Sequence, residues 1–273
     1  MHPPELRHDL VDVSIGQIHI EQVAPRDLSG EQPPTLVLLP QWPFGAWHYR
    51  KSLPLLARSF RPIAVDLPGF GWSTAPEEAL TVDDLAQVLA EMIAALGLGE
   101  VTVLARAAST AVAVRLASHV SLAGLILHGP FAHTEEQRAA KLQHTWRPIA
   151  RRADSGHLVQ AWERVASRYP DLPPELLTRC AIAHIDAAEV QTAAYQDVWR
   201  TDTLAELAEL RVPTCAFVGR DEVLTYCFEN LPANVVRVDG PGLAGPSDHL
   251  PWTGPSDFTE LVEEAFASLR RGR

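Results

Sequence analysis

The chain has 273 residues, of which 47% are hydrophobic and 21% charged, as in ordinary soluble globular proteins. This length allows a large core in one domain plus an insertion. The formal net charge is −11, and no basic cluster offsets it. Nucleic acid and anionic membranes are therefore disfavoured as main partners.

The three cysteines, Cys180, Cys215 and Cys227, lack the spacing of a metal site. A sparse and odd number of cysteines predicts reduced thiols in a cytoplasmic protein. The segment MHPPELRHDL has no apolar stretch that resembles a signal peptide. No run approaches the roughly 18 apolar residues of a membrane helix, so we expect no membrane partner.

The first 130 residues alternate strand and helix patterns. VDVSIGQIHIEQVA predicts a hairpin with Gly16 near its turn. The helix TVDDLAQVLAEMIAALGLG is predicted to begin at an N-cap, Thr81. Continuous apolar runs predict strands that are covered on both faces, in TLVLLP, RPIAVDLPGFG, VTVLA and LAGLILHGP. This alternation predicts a mostly parallel sheet with crossover helices.

The chain changes character at residues 131–210, which have no strand-like run and carry Ala, Glu, Arg and Gln at helical spacing. A segment of this length is too long for a plain loop, so we predict a helical cap over the sheet. Residues 211–273 return to the first pattern, with strands TCAFVG and NVVRVDG and a final helix from about Ser256 to Arg270. The predicted core therefore comprises residues 1–130 and 211–273.

Five segments resemble the α/β-hydrolase superfamily in order and spacing. AVDLPGFGWST is the most specific match, and the others are LVLLPQWPFGAWHYR, VTVLARAASTAVAVRLA, VPTCAFVGRDEVLT and SDHLPWTGPSDF. The resemblance covers almost the whole chain and implies an α/β-hydrolase fold with an inserted helical cap. Fold alone does not establish the reaction.

The resemblance places Ala107 where this family has its serine nucleophile. That residue lies on a sharp strand-to-helix turn, and its neighbours two residues away must be small. Ala105 and Ser109 meet this condition. A methyl group cannot attack a carbonyl, so acyl transfer through residue 107 is impossible. Ser109 is the nearest hydroxyl, but we expect it to point into the helix packing.

The resemblance also implies an oxyanion hole formed by the backbone N–H groups of Trp42 and Ala108. Pro40-Gln41 stands where the family usually has His-Gly. Gln41 either adds a side-chain amide to the pocket or faces solvent. Further departures from the hydrolytic pattern occur at Ala105, Ser109 and Thr110.

The histidine and the acid of the triad have counterparts in this chain. His249 precedes the last helix, as the family's histidine does, and is the expected general base. The spacing after Gly219 favours Glu222 as the acid, and a shift of one residue in the loop would select Asp221. Either carboxylate would hold the imidazole in one tautomer.

The substrate pocket is expected beneath the cap. Its candidate side chains are Gln41, Arg106 and the cap residue Trp146, although a charge beside a buried turn is more often paired structurally. An aromatic-bearing cap suggests a small, largely apolar substrate with a carbonyl or an acidic hydroxyl. No phosphate-binding glycine loop and no metal-spaced His/Cys cluster is present, so no cofactor or metal is predicted.

Three interpretations fit this pattern. The favoured one is an enzyme that uses His/carboxylate acid–base chemistry without a serine, as the superfamily's lyases, cyclases and cofactor-free oxygenases imply. The second is a serine hydrolase acting on esters, lactones or thioesters, with its nucleophile changed to Ala107. The third is a ligand-binding protein without catalysis, for which an intact His249 is not required.

Overall fold

The computed structural model of the chain describes residues 5–25, 32–143, 148–219, 224–238 and 249–271. Within them, eight strands form one sheet in the order β1-β2-β4-β3-β5-β6-β7-β8. The strands are β1 (Leu6–Val13), β2 (Gly16–Val23), β3 (Thr35–Leu39), β4 (Arg61–Val65), β5 (Val101–Ala107), β6 (Leu122–Pro130), β7 (Thr214–Phe217) and β8 (Val235–Arg237). The hairpin β1–β2 is antiparallel and β2 pairs antiparallel with β4, whereas all later pairs are parallel. The predicted mostly parallel sheet is confirmed.

The helices cover both faces of this sheet. They are α1 (Leu53–Leu56), α2 (Val82–Ala95), α3 (Ser109–Leu116), α4 (Glu135–Leu142), α5 (Gly156–Arg168), α6 (Pro174–Asp186), α7 (Ala188–Arg200), α8 (Thr203–Glu209), α9 (Thr225–Glu229), α10 (Leu250–Thr253) and α11 (Pro255–Arg271), with a 3-10 helix at Ala46–Tyr49. Helix α2 begins at Thr81, whose side chain accepts a hydrogen bond from the Asp84 N–H as an N-cap. None of the described helices has both the length and the apolar character needed to cross a bilayer.

The core consists of two apolar layers, one on each face of the sheet. Every residue of β5 is buried, as its continuous apolar run predicts. Because side chains alternate along a strand, Val103 and Ala105 join the layer of α2 and α3, whereas Leu104 joins the layer of α1 and α11. The same alternation determines toward which face of the sheet each side chain at the end of β5 points.

Residues 131–210 contain α4 to α8 and no strand in their described part, as predicted. Helices α5 and α6 form an apolar cluster with Phe44, from the loop after β3, and with Trp252 of α10. Helix α8 instead packs beside α3, where Leu207 joins the core and Glu206 pairs with Arg115. The assignment of this segment as an inserted cap domain stays a prediction.

Candidate active site

Ala107 is the last residue of β5 and has a φ angle of +50°. This left-handed conformation costs an L-residue about 1–2 kcal/mol, so the surrounding structure must enforce it. The Thr110 hydroxyl does so by donating to the Ala107 carbonyl at 2.6 Å and accepting from the Phe131 N–H at 2.9 Å. The sharp turn of a nucleophile elbow is therefore present, with a methyl group at its tip.

Ser109 is fully buried, and its hydroxyl donates to the Pro40 carbonyl at 2.5 Å. This bond fastens α3 to the loop after β3. The side chain does not line the cavity described below. Ser109 therefore has a structural role, in agreement with the expectation that it points into the helix packing.

A cavity of about 560 Å³ lies above the elbow. Its described lining combines aromatic, basic and amide side chains: Gln41, Trp42, Phe44, Ala107, Phe131, His133, Lys141, Arg164, Val165, Arg168, Tyr169, His184, Gln191, Tyr195, Trp199, Leu224 and Tyr226. Most of these residues come from the segment 131–210 and from the loop after β3. A volume of this size suits a small organic molecule.

The loop that carries Gln41 and Trp42 is held in place by Asp66, which follows β4. The buried Asp66 carboxylate accepts hydrogen bonds from the Ala46 N–H at 2.5 Å and the Trp72 N–H at 2.8 Å. It also accepts from Nδ1 of His19 at 2.7 Å. Asp66 thus joins the loop after β3 to the loop after β4.

Gly45 and Gly71 leave room for this carboxylate. A Cβ atom on either would lie 2.2 Å or 2.1 Å, respectively, from an Asp66 oxygen. Gly71 also has a φ angle of +56°, which favours glycine. The motif AVDLPGFG therefore positions a candidate oxyanion loop, and its residues are absent from the described lining of the cavity.

His249 lies immediately before α10, and its imidazole is fully buried. Its ring packs against Tyr169, at 4.7 Å between ring centroids, and against Phe44, at 5.4 Å. Phe44 and Tyr169 line the cavity, whereas His249 is not among the described lining residues. His249 therefore contacts two residues that line the cavity.

A second buried imidazole faces His249. Nε2 of His48 lies 3.3 Å from Nδ1 of His249, and both side chains are fully buried. Burial and the nearby His249 and Arg106 hold the pKa of His48 well below its ordinary value. His48 is therefore neutral at physiological pH. The sequence analysis missed His48, whose only signal is its place in WHYR, just after the candidate oxyanion loop.

Arg106 does not reach the cavity, which corrects its assignment to the substrate pocket. Its side chain is fully buried and Nη1 donates to the His128 carbonyl at 3.1 Å. Strand alternation explains this placement, since residue 106 shares the side of Leu104. Burial together with the positive charge of Arg106 lowers the pKa of His128 well below its ordinary value.

Three other predicted site residues fall outside the described residues: the two candidate acids, Asp221 and Glu222, and the cap residue Trp146. The structure therefore brings together Ala107, Gln41 and Trp42 at the cavity. Ala108, the other predicted oxyanion-hole residue, is buried between Ala107 and the start of α3. The assignment of its N–H and that of Trp42 to an oxyanion hole stays a prediction.

Two cavity histidines were also missed by the sequence analysis. Nε2 of His133 lies 2.8 Å from the Tyr226 hydroxyl. Burial and the charge of Lys141 lower the pKa of His133 to about 4, and burial and Arg164 lower that of His184 to about 4. Both imidazoles are neutral at pH 7. The segment HGPFAH lies at the carboxyl end of β6, beside the elbow at the end of β5. Its position was therefore the sequence feature that could have identified His133 as a site residue.

Three potential metal ligands lie on β1 and β2, at one edge of the sheet, whereas the elbow lies at the end of β5. The donor atoms of His8, His19 and Glu21 are within 4.8 Å of one another. Protein groups already engage two of them, because His19 is bonded to Asp66 and Glu21 forms an ion pair with Arg50. This hydrogen-bonded cluster fastens the hairpin to the sheet.

Comparison with known proteins places this geometry in a family. A family model described as alpha/beta hydrolase fold matches residues 34–172, which is more than half of the chain. A hydrolase of Saccharomyces cerevisiae named as uncharacterized is 42% identical over 52 residues, a match that covers 19% of this chain and 18% of that protein.

Solved structures support the same fold. A putative epoxide hydrolase from Pseudomonas aeruginosa superposes with a TM-score of 0.73 at 19% identity, with 98% of each chain covered. The N-acyl homoserine lactonase AidH complexed with N-butanoyl homoserine gives a TM-score of 0.72 at 16% identity, covering 96% of this chain and 97% of that one. Together with the elbow at Ala107 and the sheet order, the family match shows that this chain belongs to the alpha/beta hydrolase family.

Proposed function

We propose that this protein is an enzyme of the alpha/beta hydrolase family that moves a proton without a serine nucleophile. The observation that supports this most is Ala107 itself. Its left-handed backbone forms the elbow and its methyl group lines the cavity. The site keeps the backbone turn that presents a nucleophile, but the side chain of Ala107 has no atom that can form a covalent bond with the substrate.

His249 is the proposed general base. In the proposed reaction, the substrate's acidic C–H or O–H proton moves to Nε2 of His249. The electron pair left behind moves onto the substrate oxygen, giving an enolate or a phenolate. The backbone N–H groups of Trp42 and Ala108 donate to that oxygen, which stabilises the charge as it develops.

His48 is the proposed positioning residue for this base. Because His48 is neutral, its Nε2 can accept the proton borne by Nδ1 of His249 across their 3.3 Å separation. That tautomer leaves Nε2 of His249 as the basic nitrogen. His249 contacts the rings of Tyr169 and Phe44, which line the cavity, so the base is proposed to reach the substrate beside these rings.

The substrate is proposed to be a small, largely apolar molecule with a carbonyl or an acidic hydroxyl. Trp42, Phe44 and Phe131 supply aromatic wall, and Gln41 adds an amide beside Ala107. The proposed lyase, cyclase and cofactor-free oxygenase reactions are those that begin with removal of such a proton. A cytoplasmic location is proposed from the reduced thiols, since Cys180, Cys215 and Cys227 are all free.

A serine hydrolase that has lost its nucleophile is the second candidate. It is favoured by the names of two similar proteins, an N-acyl homoserine lactonase and a thermophilic esterase from Thermogutta terrifontis. It is also favoured by the intact elbow. In this candidate the unmodified chain would bind an ester or a lactone without turning it over.

One experiment separates the two candidates. The unmodified protein is incubated in D2O with a panel of aryl ketones and β-keto esters, and exchange at the acidic carbon is followed by NMR. Exchange that is lost in His249→Gln would support proton transfer by His249. The Ala107→Ser variant is assayed in parallel with nitrophenyl esters and a fluorophosphonate.

The outcomes are distinct. Absence of exchange in the unmodified chain, together with ester turnover and phosphonate labelling in Ala107→Ser, would overturn the nucleophile-free proposal. Exchange without any serine would overturn the lost-nucleophile candidate. His249→Phe, which keeps a buried ring, serves as the control for changes in packing.

A further inference from the structure

The hairpin β1–β2 carries three potential metal ligands on one of its faces. His19 and Glu21 are two residues apart on β2, so their side chains point to the same side of the sheet. His8 of β1 is paired directly with Glu21 across the hairpin. The donor atoms of the three residues lie within 4.8 Å of one another. Short-range sequence spacing does not reveal this set, because its members are divided between two strands.

The distances between these atoms suit a single metal ion. Nδ1 of His8 lies 3.1 Å from Nε2 of His19 and 3.9 Å from Oε1 of Glu21. Two ligands of a tetrahedral zinc ion, each bound at about 2.0–2.1 Å, are about 3.3 Å apart. Shifts of a few tenths of an ångström would therefore bring these atoms to a common ion. The ion would replace the proton that lies between the two imidazole nitrogens.

The two buried ligands have the hydrogen-bond partners that orient ligands in metal sites. Nδ1 of His19 donates to the Asp66 carboxylate at 2.7 Å, so Nε2 of His19, which faces His8, carries the lone pair. The Glu21 carboxylate accepts from Nε of Arg50 at 2.9 Å. A ligating histidine commonly donates its other N–H to a carboxylate, and ligating carboxylates are themselves hydrogen-bonded. The bonds to Asp66 and Arg50 are therefore those expected around a bound metal.

We propose that His8, His19 and Glu21 bind one Zn²⁺ ion, or a chemically similar ion such as Ni²⁺, with water completing its coordination. Imidazole nitrogens favour these ions over Mg²⁺ and Ca²⁺, which prefer oxygen ligands. The side chain of His8 is 37% exposed, whereas those of His19 and Glu21 are 4% and 2% exposed. An ion can thus enter from the side of His8 without unfolding the hairpin.

The role of this site is structural. The ion would bind Nε2 of His19, whose Nδ1 donates to Asp66, and Asp66 in turn accepts from the Ala46 N–H. One chain of contacts would therefore join the ion to the loop after β3. Because the ligands come together only in the folded hairpin, the ion stabilises the folded state.

Trp72 provides a local optical readout of binding. Its exposed ring lies 4.9 Å from the ring of His19 and 5.6 Å from that of His8, measured between centroids. Ni²⁺ at the site should quench the fluorescence of Trp72, so a titration of the untagged protein gives a dissociation constant. The same titration of Trp72→Phe identifies the part of the quenching that comes from this site.

His8→Gln is the variant that tests the ligand set, since it removes the exposed ligand and leaves the buried bonds in place. We expect it to weaken Ni²⁺ binding at least about tenfold, which is what loss of even an outer-shell partner costs. His119→Gln is the matched control, because it removes another exposed histidine that is paired with a carboxylate, that of Asp83. Its affinity for Ni²⁺ should equal that of the unmodified protein.

Thermal unfolding provides an independent measurement. Ni²⁺ at about 100 times its dissociation constant should raise Tm by about 5 °C in the unmodified protein, whereas Mg²⁺ at the same concentration should not. Full quenching in Trp72→Phe, or equal affinity in His8→Gln and the unmodified protein, would place the ion elsewhere and overturn the site. A Tm that Ni²⁺ does not raise would overturn its structural role.

Discussion

Nε2 of His48 and Nδ1 of His249 lie 3.3 Å apart although 201 positions separate them in the chain. In the proposed mechanism the neutral His48 accepts the proton on Nδ1 of His249, which leaves Nε2 of His249 as the basic nitrogen. We expect His48→Leu to lower kcat by up to about a hundredfold, toward the value of a chain without its general base. The exchange assay in D2O measures this.

His48→Gln supplies the control, since its side-chain oxygen can accept from Nδ1 of His249. Recovery of most of the activity in His48→Gln would identify the hydrogen bond as the cause. Equal activity in His48→Leu and the unmodified protein would remove His48 from the proposed mechanism.

Acid should destabilise the fold through the buried histidines. The pKa of His133 and that of His184 are each lowered from 6.5 to about 4, so the unfolded chain binds protons that the folded chain does not. Stability is therefore fully present above pH 6.5 and is lost as the pH falls toward 4. Between about pH 7 and about pH 5.5 each of these histidines should remove roughly 1 kcal/mol from the free energy of unfolding.

Urea titrations at several pH values measure this effect. His184→Gln should reduce the acid-dependent loss by about 1 kcal/mol, because glutamine does not titrate in this range. A pH dependence identical to that of the unmodified protein would contradict the neutral, buried state of His184.

Asp66 should be costly to replace. Its carboxylate accepts from His19, Ala46 and Trp72, and Asp66→Asn turns part of that acceptor into a donor. We expect a loss of about 2–4 kcal/mol in the free energy of unfolding, measured by denaturant titration. The exposed Asp12, which bonds only to the side chain of Gln17 among the described contacts, provides a control in Asp12→Asn, with an expected change below about 0.5 kcal/mol.

We expect glycine to be tolerated at position 107, in the elbow, but to lower the stability of the protein at position 105 of β5. Ala107→Gly removes the left-handed strain, so we expect no loss of stability and a gain of up to about 1 kcal/mol. Ala105→Gly, in the extended and fully buried part of β5, should cost about 1–2 kcal/mol. If thermal unfolding ranks the two variants in the opposite order, the φ angle of +50° at Ala107 is not strained.

Much of this fold follows from local sequence patterns. The hairpin around Gly16, the buried strand VTVLA and the cap of α2 at Thr81 were predicted because apolar periodicity and capping depend on residues close in sequence. The sharp turn at Ala107 was predicted from the resemblance of VTVLARAASTAVAVRLA to the family's nucleophile elbow, and the small residues Ala105 and Ser109 are compatible with it. Strand alternation also accounts for the placement of Arg106, which lies on the same side of β5 as Leu104.

The histidines of the site could not be obtained in this way. His48, His133 and His184 reach their surroundings through elements far apart in the chain, and their neutral state depends on burial and on nearby cations. The packing of His249 against Phe44 and Tyr169 is equally a matter of tertiary structure. Sequence position alone identified His249 as a candidate but not its distance from the cavity.

The hydroxyls of Ser109 and Thr110 hold the elbow through the carbonyls of Pro40 and Ala107, and neither bond involves the side chain at position 107. The backbone there is thus independent of which small residue occupies the tip. Alanine and serine codons differ by a single base, so natural variation can reach a hydroxyl at this position in one step. A change between alanine and serine at position 107 therefore leaves the hydrogen bonds that hold the elbow in place.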